Sequence, residues 1–155
     1  MGADKSLRKL SSIKNGDFEG AEETHLANVD LDIYSRSDLQ PLVTAFGKKV
    51  FVLYVGRYRR TYKAVLELTG TAKSADLKIL SFCRLIRALP KPERRIWNAA
   101  VARDFNVGVQ VRAKPNSYRI GLSALAVKAA SEVGARIVFT IYSPEFPEIN
   151  VSQPG

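Results

Sequence analysis

A chain of 155 residues with 46% apolar and 25% charged side chains suits one domain with one buried core. Its formal charge of +9 favours anionic partners, and its single cysteine, Cys83, excludes an internal disulfide and suits a reducing compartment. No window holds the roughly 18 consecutive apolar residues of a membrane span, and the first residues carry no apolar signal core, so a soluble, cytoplasmic protein is expected.

Residues 1–23 are polar, without sustained periodicity, and read as a flexible arm. Within it, Gly2, Ser6, Arg8 and Lys9 fit an N-myristoylation template, a short pattern that a plain polar leader satisfies equally. The domain is expected over 24–142, with a Pro-containing tail at 143–155. Ala27, Val29, Leu31 and Ile33 alternate with Asn28, Asp30 and Asp32, predicting a first strand with one solvated face. Asp30 and Asp32 project from that face as a carboxylate pair would, although solvation alone explains them.

Ser37, with Gln40 three residues on, predicts a capped helix whose apolar stripe is Leu39, Leu42, Val43 and Phe46, stopped by Gly47. The unbroken apolar run Val50 to Val55 reads as a strand buried on both faces or central in the sheet. Tyr62, Ala64, Leu66 and Leu68 then alternate with Lys63 and Glu67, so residues 50–69 predict a hairpin with GRYRRT at its tip. The segment ELTGTAKS lies between this strand and the next helix, and its Lys73 and Ser74 sit where a phosphate loop has them. Glu67 and Ala72 replace the glycines such a loop requires, which excludes that motif.

From Ser74, the residues Ile79, Phe82, Cys83, Ile86 and Leu89 recur at helical spacing until Pro90, and Cys83 on this apolar face reads as a buried, inert thiol. Ile96, Trp97, Ala100 and Val101 continue a short helix; Phe105, Val107, Val109 and Val111 then alternate as a strand. A turn at 114–117 and a return strand at Tyr118, Ile120 and Leu122 follow. Ser123 caps a helix with a stripe of small residues, Gly134 ends it, and Ile137 to Tyr142 form the last strand. This order predicts an α+β two-layer sandwich: a mixed, mostly antiparallel sheet of about six strands with helices packed on one face.

Charge is unevenly spread. Residues 39–142 hold nineteen Lys and Arg against five Asp and Glu, whereas residues 17–38 hold seven acids and one Arg. The densest cationic cluster is Arg57, Tyr58, Arg59, Arg60, Tyr62 and Lys63, with Lys48 and Lys49 at the far end of the same strand. Arginine interleaved with tyrosine can clamp phosphates and stack on bases, and equally serves as a solvated turn or protein-contact loop. A second candidate group is Arg94, Arg95, Trp97, Arg103 and Asp104, where an Arg and Asp beside an indole make either a structural pair or a recognition anchor. His25 is the only histidine, no metal-ligand spacing occurs, and no cofactor motif is present, so no catalytic residue is assigned and an enzyme is not expected.

The stretches VDLDIYS, LPKPERRIWNAAVARDFNVGVQ and GARIVFTIY, over residues 24–142, resemble a family of small bacterial α+β domains of unknown function, some of whose relatives lie near toxin genes and are suspected immunity proteins. The resemblance implies a compact, cofactor-free binding module. The expected function is therefore a non-enzymatic protein-binding module, immunity-like or regulatory, whose partner presents an acidic surface. The alternative is a nucleic-acid binder using the hairpin at 56–63.

Overall fold

The computed structural model describes residues 23–144. The arm, apart from Glu23, and the tail beyond Pro144 lie outside the described residues, as does the Gly2 pattern. The elements are β1 (His25–Ser35), α1 (Gln40–Phe46), β2 (Val50–Tyr58), β3 (Thr61–Leu68), α2 (Ala75–Arg87), α3 (Lys91–Ala99), β4 (Ala102–Gln110), α4 (Ala124–Glu132) and β5 (Arg136–Tyr142). They form an α+β domain around one five-stranded mixed sheet ordered β2-β3-β1-β4-β5. Three pairings are antiparallel and the last, β4 with β5, is parallel.

The register explains the core. Leu31 of β1 lies between Leu66 of β3 and Phe105 of β4, so the apolar members of three central strands share one face. Against that face pack Leu42, Val43 and Phe46 of α1 and Ile79, Phe82 and Ile86 of α2, with the Phe82 and Phe105 rings stacked at 5.8 Å. Both Ser74 and Ser123 cap their helices, accepting from the amides of Leu77 and Ala126 as their sequence positions predict. Ala126, Ala129 and Ala130 are buried, and Gly134 follows α4 at φ 73°, a left-handed conformation that glycine adopts without strain.

Several expectations are corrected. Among the described residues there are five strands, because residues 111–123 form none: β5 occupies the edge of β4 where a return strand would pair, and the Val111 amide donates to the Tyr142 carbonyl at 2.9 Å. The segment Val50 to Val55 is neither central nor buried on both faces. It belongs to the edge strand β2, where Phe51 is 59% and Leu53 54% exposed. Ser37 does not cap α1; the Asp38 carboxylate accepts from the Gln40 amide instead, at 3.0 Å. The polar face of β1 is not solvated where it carries Asp30, which is 9% exposed.

Candidate protein-binding surface

The hairpin places its cations by geometry. Tyr58 pairs with Thr61, leaving Arg59 and Arg60 as a two-residue loop, and Arg59 takes φ 55° at the position where such loops demand a positive angle. The chain alternation then puts Arg57 opposite Tyr62 and the Arg57 guanidinium 5.1 Å from the Tyr62 ring centre. Arg59 lies 5.6 Å over Tyr58, and the Lys63 ammonium sits 5.1 Å from Tyr58 and 5.2 Å from Tyr34. Tyr34, from the neighbouring β1, meets Tyr58 edge to face at 6.3 Å and is the main cause that raises the Lys63 pKa above the ordinary lysine value. Sequence alternation assigned Tyr34 to no site, because only the pairing of β1 with β3 brings it beside Lys63.

The outer edge of β2 extends this surface. Phe51, Val52, Leu53 and Tyr54 are all exposed, and a bulge between Val52 and Tyr54 turns Leu53 out of register. An edge strand with a row of apolar side chains and unpaired backbone groups is a template for another strand. Its two ends carry Lys48 and Lys49 on one side and Arg57, Arg59 and Arg60 on the other.

The second predicted group divides. Trp97 is fully buried, and its indole N–H donates to the Val133 carbonyl at 2.8 Å. Arg103 lies 5.8 Å over that indole and donates to the carbonyls of Trp97, Asn98 and Gly134, tying the ends of α3 and α4 together. Asp104 does not join them, because neighbouring strand residues point to opposite faces. It takes a two-bonded contact from Arg136, both bonds 2.8 Å, on the other side of the sheet. Arg94 is half-buried and Arg95 exposed on α3, without an ion pair among the described residues.

On the sheet face away from the helices, Asp30 and Asp32 lie side by side, with Glu67 opposite Asp30 and Asp104 opposite Asp32. Burial, then Asp32 and Glu67, raise the Asp30 pKa to about 6; burial also raises that of Asp32. Among the described residues no group of three or more His, Cys, Asp or Glu is placed to hold a metal ion, and no helix is long and apolar enough to cross a membrane. His25 is exposed, with Nδ1 2.9 Å from the Glu23 carbonyl.

The fold and this surface together define an α+β domain with a cationic, apolar-rimmed sheet edge. No protein-family model, curated protein or solved structure matches the chain.

Proposed function

We propose that the chain is a non-enzymatic protein-binding module that receives an extended, acidic segment of a partner along the edge of β2. The observation that carries this reading is the exposed row Phe51 to Tyr54 between two cationic ends. Main-chain pairing would give affinity, and alternate side chains would give specificity. Burying Phe51 and Leu53 would add about 1.5 to 3 kcal/mol each before ordering costs are counted. A second copy of the chain fits poorly, since an antiparallel pairing of two β2 strands sets Lys48 and Lys49 of one copy beside Arg57 and Arg59 of the other. The resemblance to small bacterial immunity-like domains belongs to this proposal, with a toxin or regulated protein of acidic surface as the target.

The alternative of a nucleic-acid binder is supported by the arginines of the hairpin loop. It is disfavoured by the tyrosines: Tyr58 and Tyr62 are already covered by the chain's own cations, which removes faces that bases would stack on. A displayed random-peptide library selected on the immobilised protein tests the choice. The expected result is enrichment of segments with alternating apolar residues flanked by Asp and Glu, lost on the double substitution Phe51→Lys and Leu53→Lys. No enrichment, together with oligonucleotide binding that falls steeply with salt, would favour the alternative.

A further inference from the structure

A cleft of about 580 Å³ opens at the end of the sheet opposite the hairpin loop. One wall is the turn bearing Lys48 and Lys49, another the loop from Thr69 to Ala72, and the third the side of α2 bearing Arg84 and Leu85. The first two walls are fastened together: the Thr69 amide donates to the Lys49 carbonyl at 3.1 Å and its hydroxyl to the Lys48 carbonyl at 2.9 Å. The cavity is therefore held by hydrogen bonds across 21 residues of chain.

Its chemistry is one-sided. Lys48, Lys49 and Arg84 line it without any acidic residue, and none of the three is in an ion pair among the described residues. Arg87, one turn further along α2, is by contrast neutralised by Glu132 at 2.8 Å. The amides of Gly70, Thr71 and Ala72 find no protein acceptor among the described residues, and consecutive free amides in a loop attract anions. Leu68, Ala72 and Leu85 supply an apolar lining.

We propose that this cleft binds a small phosphate monoester carrying an apolar or planar body. Three cations and a run of amides suit a dianion better than a carboxylate, with Arg84 able to grip two phosphate oxygens and the lysines acting as point charges. The volume falls in the range of small-molecule sites and exceeds what a phosphate alone fills, leaving the leucines for the body of the ligand. This site shares Lys48 and Lys49 with one end of the β2 edge but takes Arg84 and the 69–72 loop from elsewhere, and it stands whether or not a peptide docks on the exposed row of β2. Nor does it restore the phosphate-loop motif, since its cations come from the turn before β2 and from the middle of α2.

The test is calorimetric titration of the full chain, at low salt, with inorganic phosphate, adenosine monophosphate and a short-chain lysophosphatidate below its micellar concentration. At least one of the two organic esters should bind tenfold or more tightly than phosphate, and which of them does so identifies the body as nucleoside or acyl chain. Arg84→Glu and Lys49→Glu, both at exposed positions, should each weaken that binding at least tenfold, while the double substitution Arg59→Glu and Arg60→Glu leaves it unchanged. Binding of neither ester at millimolar concentration would overturn the proposal, and so would equal loss in the hairpin variant, which would mean attraction by overall charge alone.

Discussion

The Arg103 guanidinium lies over the Trp97 indole, 5.8 Å from its centre, while donating to the Trp97 carbonyl at 2.9 Å. Two residues whose sequence positions suit either a structural pair or a recognition anchor thus form a structural clamp between α3, β4 and the end of α4. Arg103→Ala should lower unfolding free energy by about 2 kcal/mol, since three carbonyls lose a charged donor. Arg103→Lys should recover less than half, because one ammonium cannot span the fork. Urea unfolding of the three proteins measures both.

Asp30 makes stability depend on pH. Its pKa is about 6 folded against 3.8 as the ordinary value, so the stability it contributes is full below about pH 4 and lost as pH rises through 6. The groups acting on it are Asp32 and Glu67, which raise the pKa, and Lys78, which lowers it. Asp30→Asn, which keeps an acceptor for the Asn28 side-chain amide, should stabilise the fold at pH 7 by about 1 to 3 kcal/mol. It should also flatten the stability profile between pH 4 and 7, measured by denaturant midpoints across that range.

Asn28 crosses β4 directly above Gly108. A Cβ at Gly108 would meet the Asn28 Oδ1 and crowd the Tyr142 ring, so Gly108→Ala must push Asn28 away from Asp30. The expected loss is about 1 to 3 kcal/mol, read as a lower melting temperature. In Asn28→Ala, which removes the obstructing side chain, the same glycine substitution should cost less than half as much.

Cys83 is fully buried on α2 and its thiol is pushed up to about 11, by burial first. Arg87 pulls the other way and is outweighed. Native protein should react with a thiol reagent at pH 8 at least a hundredfold more slowly than protein unfolded in urea, followed by absorbance.

Where local chemistry decides, the sequence was informative. The serine caps at Ser74 and Ser123, the stop at Gly134, and the face formed by Val29, Leu31 and Ile33 all follow from spacing. Pairing decides the rest, and pairing is non-local. The run from Val50 to Val55 has the composition of a central strand, yet β3 lies on only one side of it. Likewise Tyr118 to Leu122 alternates as a strand would, but β5 holds the edge it would need. Of the candidate site, the hairpin cations were visible from composition; Tyr34 and the cleft at Lys48, Lys49 and Arg84 required the register and the packing of α2.

The central claim is that the edge of β2 receives a partner strand. Amide hydrogen exchange of the full chain with and without an acidic peptide enriched by selection tests it most directly. The account predicts slowed exchange concentrated in Val50–Tyr58. Slowed exchange confined to other surfaces, with β2 unchanged, would contradict it.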